Sequence, residues 1–81
     1  MKIYDYKGKK NISGERIREA RHKLRLSQKN LAAQMQIHEV IIEREIISRI
    51  ENGTRFVTDY EIAIFAKILK VSVNWLLGID E

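Results

Sequence analysis

The segment 44–52 could recognise a base-pair edge if it forms a helix. Ile47 and Ile50 are three residues apart and would share one buried face. At about 100° per residue, other side chains point away from that face: Arg44, Glu45, Ser48, Arg49 and Asn52. Arginine can bind guanine through two hydrogen bonds, and glutamate can accept one from cytosine, on a helix that fits the major groove of DNA. The segment therefore predicts base recognition, and an ordinary solvated helix face is the alternative that these residues alone leave open.

A second candidate position lies at the start of the preceding predicted helix. Ser27 is suited to cap a helix whose first residue is Gln28. Free main-chain amides and the positive end of the helix dipole meet at such a position, where they favour an anion. Ala32, which is small, would let this helix cross its neighbour closely. The pattern predicts a phosphate contact at Gln28.

These candidates require an all-α domain of five short helices around one core. Helical periodicity begins near residue 12, and the chain contains no proline to interrupt it. The first helix is predicted from residue 11 or 13 to 25, with Ile12, Ile17, Ala20 and Leu24 on its apolar face. Segment 36–43 is predicted as a partly buried connection. Capping signals then predict a third helix ending at Asn52-Gly53, a fourth beginning after Thr58, and a fifth over 73–77 between Ser72 and Gly78.

Composition excludes most enzyme classes. The chain has 81 residues, 44% of them hydrophobic, and no cysteine, so it allows one modest core but no disulfide, thiolate metal site or cysteine nucleophile. Two histidines, His22 and His38, are too few for an all-histidine zinc site. There is no nucleophile paired with a base and no phosphate-binding glycine loop. We predict a cytoplasmic protein that is not an enzyme, with no catalytic residue, metal, cofactor, small-molecule substrate or membrane contact.

Charge is distributed unevenly along the chain. Residues 1–29 contain ten Lys/Arg and three Asp/Glu, a net charge of +7, whereas residues 30–81 contain five and eight, a net charge of −3. A basic front half favours a polyanionic partner. Residues 1–11 are predicted to form a basic arm, part extended and part disordered. Its Lys7, Lys9 and Lys10 could follow a DNA backbone, and a solvated tail is equally consistent with them.

Four short motifs occur in a characteristic order between residues 12 and 78. They are Ile17-x-x-Ala20-Arg21, Leu26-Ser27-Gln28-x-x-Leu31-Ala32, Ile47-Ser48-Arg49-Ile50-Glu51-Asn52-Gly53, and Val71-Ser72-Val73-Asn74-Trp75-Leu76-Leu77-Gly78. Together they resemble the helix-turn-helix domains of the lambda repressor, Cro and XRE type. The resemblance implies a compact five-helix fold over residues 12–81 that binds double-stranded DNA.

Individual roles follow from the same resemblance. It implies DNA contacts at Gln28, Lys29, Arg44, Glu45, Ser48, Arg49, Asn52 and Arg55. It implies that Arg21 and Glu51 form a structural ion pair between the first and third helices. It also implies a homodimer. Apart from the resemblance, the apolar residues near the last helix exceed what one short helix needs for a core, so some of them are predicted to form a dimer seam: Val71, Val73, Leu76, Leu77 and Ile79.

Two departures from the family pattern occur near the start of the third helix, one in the length of the preceding turn and one in charge. Gln36 stands where the family usually has glycine, and the connection is about five residues longer than the compact turn, which predicts an extended-turn variant. Glu43 and Glu45 place carboxylates near the DNA. Glu43 is suited to cap the third helix and to favour its dipole. Glu45 in the groove would lower nonspecific affinity and favour cytosine.

The sequence thus predicts a sequence-specific double-stranded DNA-binding transcriptional regulator of repressor type that reads the major groove with helix 44–52. The alternative is a protein-interaction module on the same fold, such as a toxin-binding antitoxin. The acidic second half and the apolar segment 40–42 would suit a protein partner. Fold by itself does not decide between them.

Overall fold

The computed structural model describes residues 5–79, which form five α-helices and no β-strand. The helices are α1 (Gly14–Lys23), α2 (Gln28–Ile37), α3 (Arg44–Glu51), α4 (Asp59–Leu69) and α5 (Val73–Leu77). The prediction of an all-α fold with five helices is confirmed. Within this part of the chain, no helix is long and apolar enough to cross a membrane.

One core joins all five helices. Its buried apolar side chains are Ile17, Ala20, Leu31, Met35, Val40, Ile42, Ile47, Ile50, Phe65, Ala66, Leu69 and Leu76. Each large one contributes about 1.5–3 kcal/mol on burial. The predicted place of Ile12 on the first helix is wrong. Because α1 begins only at Gly14, after Ser13, Ile12 precedes the helix and its side chain is 55% exposed.

Helix starts follow the capping signals in the sequence. Ser27 and Thr58 each form a capping box, with Asn30 and Glu61 respectively, and the Ser72 hydroxyl accepts a hydrogen bond from the first turn of α5. These side chains satisfy main-chain N–H groups that have no partner inside the helix. The predicted starts of α2, α4 and α5 are confirmed.

Every helix is followed by a residue in the left-handed conformation: Arg25, Glu39, Gly53, Lys70 and Gly78. The main-chain N–H of the next residue then bonds back to a carbonyl five positions earlier, as Val40 does to Met35 at 3.0 Å. The stops at Gly53 and Gly78 are confirmed. The first helix ends earlier than predicted because Arg25 is left-handed. After α2 the left-handed position is Glu39, and Gln36 lies inside the helix.

Residues 38–43 connect α2 to α3 and are partly buried, as predicted. Val40 and Ile42 are each 8% exposed and belong to the core, whereas Ile41 is 78% exposed. The expectation that segment 40–42 as a whole offers an apolar surface to a partner is therefore wrong, because two of its three side chains pack inside this domain.

The described part of the N-terminal segment forms a tight turn. Tyr6 and Lys9 exchange main-chain hydrogen bonds of 2.6 and 2.9 Å around Lys7 and Gly8, which both have positive φ. Two consecutive positive φ values characterise a two-residue hairpin turn. The expectation of an extended or disordered arm therefore fails for residues 5–10, because this turn docks beside α3. Residues 1–4 of the predicted arm lie outside the described residues.

Candidate nucleic-acid interface

The third helix presents the predicted polar face. Ile47 and Ile50 are fully buried, whereas Arg44, Glu45, Arg49 and Asn52 are exposed and Ser48 is half-buried. Arg44 Nη2 lies 3.8 Å from Glu45 Oε1, and both side chains are about 60% exposed (59% and 61%). An ion pair this open contributes little to stability. Both side chains can therefore exchange this contact for one to a ligand.

A buried ion pair attaches α3 to α1. Arg21 Nε lies 2.7 Å from Glu51 Oε2, and Arg21 Nη2 donates to Glu51 Oε1 at 3.0 Å. The two side chains are only 9% and 4% exposed. Arg21 Nη1 also donates to the Leu26 carbonyl at 2.9 Å, in the turn that leads into α2. This two-point contact holds α3 in one orientation against the preceding helices.

Gln28 belongs to the same network. Its Nε2 donates to Glu51 Oε1 at 3.0 Å, so the first residue of α2 is tied to the last residue of α3. The side chain is half-buried, and the neighbouring Lys29 is exposed. Gln28 therefore has a bracing contact that the sequence did not reveal, at the position where the resemblance implies a DNA contact.

A concave surface lies where α1, α2 and α3 meet. Its lining residues are Arg18, Arg21, Gln28, Ser48, Glu51 and Asn52. Three of these are predicted DNA contacts, so the fold brings Gln28, Ser48 and Asn52 together. Arg18 is exposed beside them and was missed. Its position three residues before Arg21 on one helix face was the available signal.

Asn11 closes the C-terminal end of α3. Its Nδ2 donates to the carbonyls of Ile50 and Arg55 at 2.9 and 2.8 Å, and its Oδ1 accepts from Gly14 N at 2.7 Å. One amide thus joins the start of α1, the end of α3 and the loop that follows. Sequence reasoning missed this residue, because its partners lie 39 and 44 positions away.

Contacts from residues 9, 10 and 14 reinforce this junction. Lys10 N donates to the Gly53 carbonyl at 2.8 Å, and Lys9 Nζ donates to the Asn52 carbonyl at 3.3 Å. Gly14 lies directly against the Ile50 carbonyl, and a Cβ built on Gly14 would overlap that oxygen. Close approach of α1 to α3 therefore requires glycine here.

The three candidate lysines of the arm have different surroundings. Lys9 is docked at the end of α3, Lys7 Nζ lies 5.4 Å from the centre of the Tyr6 ring, and Lys10 is exposed. The turn therefore places the Lys9 side chain at the edge of the polar face, whereas Lys10 borders Thr58 and Asp59 at the start of α4.

Arg55 is held by the fourth helix. Its Nη1 donates to Glu61 Oε1 at 2.6 Å and to the Phe56 carbonyl at 2.9 Å, and its side chain is 23% exposed. The resemblance implies a DNA contact at Arg55, and the structure shows that this guanidinium also braces the loop after α3.

The apolar residues near α5 divide between core and surface. Leu76 is buried, Val71, Val73 and Leu77 are half-buried, and Ile79 is 52% exposed. Trp75 is half-buried beneath Arg16, whose guanidinium carbon lies 5.1 Å from the ring centre. Ile79 is thus the predicted seam residue with the most surface to offer a second copy.

Metal-ligand geometry is lacking in the part of the chain that the structure describes. No group of three or more His, Cys, Asp or Glu residues within 5–79 could hold a metal ion. His22 Nε2 lies 3.2 Å from Arg21 Nη2, beside the buried ion pair, and His38 is half-buried in the connection.

Comparison with known proteins agrees with this geometry. No curated protein is similar enough to the chain to count as a relative. A family model described as a helix-turn-helix domain matches residues 14–78, which is most of the chain. Such a domain, here of the XRE type, indicates DNA binding and transcription regulation, and the family is typically non-enzymatic. The chain belongs to this helix-turn-helix family.

Proposed function

We propose that the protein is a sequence-specific regulator of transcription that binds double-stranded DNA by placing α3 in the major groove. One observation carries the proposal: the polar face of α3 is exposed while the helix is held rigidly from behind by Arg21, Gln28 and Glu51. Recognition side chains are effective when their supporting elements are fixed before the ligand arrives.

Base reading is assigned to the exposed polar face of α3. Arg44 and Arg49 can each donate two hydrogen bonds to guanine, and Glu45 can accept from cytosine N4. Ser48 lies between them on the half-buried edge of this face. These four side chains are the source of sequence preference in the proposal.

Phosphate contacts are assigned to the rim of that face. Gln28 and Lys29 lie at the start of α2, whose main-chain amides favour an anion. Asn52, Arg55 and the arm lysines lie at the other end of α3. Such contacts set the position and orientation of the domain on the duplex.

The assembly and sense of regulation are also proposals. Two copies bind half-sites about 34–36 Å apart, one turn of DNA, and the exposed Ile79 contributes to their contact. The connection 38–43 makes the domain an extended-turn, Cro-like variant. Occupation of a site excludes other proteins from the same DNA, which favours repression.

The rival function, a toxin-binding antitoxin, draws less support from the structure than from the sequence. Val40 and Ile42, two of the apolar residues that suggested a partner surface, pack in the core of this domain. The rival remains the outcome if the DNA experiment fails.

The test is an anisotropy titration of a random duplex pool at several salt concentrations, followed by sequencing of the bound fraction. With roughly 6–10 phosphate contacts per dimer, affinity should fall about 10³–10⁵-fold between 50 and 200 mM salt. An inverted repeat should be enriched. No binding even at low salt would contradict the proposal and favour a protein partner.

A matched pair of variants assigns binding to α3. Arg49→Ala removes a charge from the exposed face of α3, whereas Lys67→Ala removes the same charge from the exposed surface of α4. The first should weaken binding to the enriched repeat about 10-fold or more, as expected for loss of a bidentate base contact. The second should leave specific binding within about twofold.

A further inference from the structure

Ile41 is the most exposed large apolar side chain of residues 5–79, at 78%. It lies in the connection between α2 and α3, where its neighbours Val40 and Ile42 are each 8% exposed. In extended backbone successive side chains point to opposite sides. The two buried neighbours therefore direct Ile41 outward.

Both ends of this short segment are fixed. Val40 N donates to the Met35 carbonyl at 3.0 Å, at the end of α2. Glu43 is extended, with φ −89° and ψ 169°, and its carbonyl accepts from Ile46 N and Ile47 N in the first turn of α3. Ile41 is consequently presented from a segment anchored on both sides.

Ile41 lies within reach of the groove that α3 would enter. It precedes Arg44 by three residues, which span at most about 10 Å of extended chain. The major groove is about 12 Å wide. Since one base-pair step rises about 3.4 Å, Ile41 can meet a base pair within about three steps of the one that Arg44 contacts.

The chemistry of the groove supplies a partner for an aliphatic side chain. The outward positions of α3 are polar or charged, whereas the thymine C5-methyl is an apolar group on the major-groove edge. We propose that Ile41 is a specificity determinant that packs against a thymine methyl beside the base pairs read by α3. This inference rests on the proposed function and adds one base contact to those assigned to α3.

Duplex DNA is a better binding partner for Ile41 than a protein surface is. One isoleucine is a small part of the roughly 800 Å² that each partner buries in a stable protein interface. The nearby exposed residues Glu39 and Glu43 are acidic. Their carboxylates repel phosphate and oppose a backbone contact by this segment, so the proposed contact with the duplex is made by the Ile41 side chain alone.

The test replaces thymine by deoxyuridine, which removes only the methyl group, at each position of the enriched repeat. Loss of the contacted methyl should weaken wild-type binding roughly fourfold, the effect of withdrawing one buried methyl. Ile41→Ala should bind the thymine repeat more weakly by a similar factor. It should also bind the thymine and uracil versions of that position equally well.

Ile37→Ala is the matched control. Ile37 is 71% exposed at the end of α2, seven residues before Arg44, so its removal deletes a similar apolar surface. This variant should keep the wild-type ratio of thymine to uracil affinity. Both variants should unfold at the wild-type midpoint, since neither side chain is in the core.

The failures are distinguishable. If no duplex is bound, the proposed function fails and the inference with it. If the repeat is bound but wild type does not distinguish thymine from uracil, or Ile41→Ala keeps the distinction, only the inference is overturned. A change in oligomeric state of Ile41→Ala by sedimentation, with an unchanged thymine-to-uracil ratio, would also overturn it and assign Ile41 to a second copy.

Discussion

The two ends of α3 are built in opposite ways. At its C-terminal end, residues 9–11 donate hydrogen bonds to four carbonyls, those of Ile50, Asn52, Gly53 and Arg55. At its N-terminal end Glu43 makes no side-chain capping bond within the described chain, and the side chains of Arg44 and Glu45 are exposed. One end is secured by distant parts of the sequence, and the other is open.

This difference has a physical consequence for recognition. A helix that is fixed at one end and braced along one side points its free end in a constant direction. The first main-chain N–H groups of a helix have no partner inside it and can bind an anion or a base. The fixed end of α3 therefore sets the geometry with which the free end meets a ligand.

The largest effect is expected from breaking the buried ion pair of Arg21 and Glu51, which attaches α3 to α1. Glu51→Ala leaves Arg21 buried without its partner, and the free energy of unfolding should fall by about 3–5 kcal/mol. Urea denaturation followed by circular dichroism measures this. Glu19→Ala is the control, because its 3.7 Å pair with Lys23 is exposed and should change stability by less than about 1 kcal/mol. Similar losses for the two variants would show that the buried pair has no special role.

A smaller loss is expected at the fixed end. Asn11→Ala removes the amide that donates to Ile50 and Arg55, and the free energy of unfolding should fall by about 1–3 kcal/mol. Thermal or urea unfolding measures it. Lys10→Ala retains the main-chain bond to Gly53 and should be neutral. An equally neutral Asn11→Ala would mean that water replaces the amide without loss.

The open end should accept a cap. Glu43→Ser introduces a hydroxyl able to accept from the first turn of α3, and the free energy of unfolding should rise by about 0.5–1 kcal/mol. The same denaturation series measures the gain. Glu43→Ala separates the new hydroxyl from mere loss of the carboxylate. The prediction fails if serine and alanine give the same stability.

The smallest effect concerns charge at the open end. Glu45→Gln removes a carboxylate that is 61% exposed, and affinity for random duplex at low salt should rise roughly two- to fivefold because phosphate is repelled less. Cytosine preference at the contacted position should fall. Anisotropy titration with random duplex measures the first effect. Unchanged affinity would place Glu45 outside the groove.

Local signals predicted the fold well because they act within a few residues. Ser27, Thr58 and Ser72 cap helices by bonding three positions ahead, and Gly53 and Gly78 end helices through their own φ. The polar face of α3 followed from the spacing of Ile47 and Ile50 alone. The same reasoning wrongly placed Ile12 on the buried face of α1, because apolar periodicity does not tell at which residue a helix begins.

The candidate site was less predictable wherever contacts join distant segments. The pair of Arg21 and Glu51 was expected only through the family resemblance, and it lies at bonding distance in the structure. The additional hydrogen bond that the Glu51 carboxylate accepts from Gln28 was not expected, nor was the contact of Arg55 with Glu61. Each depends on the angle at which two helices pack, which no local pattern encodes.

The sequence by itself determined that this chain forms short helices, and that the helix after the long connection begins with an arginine and has one polar face. Helix propensity, capping and apolar spacing predict these features because each depends only on residues a few positions apart. Tertiary structure alone decided that Asn11 closes one end of α3 and that Ile41 points outward while Val40 and Ile42 point inward. These outcomes depend on which buried positions the core can fill, and packing settles that for the whole domain at once.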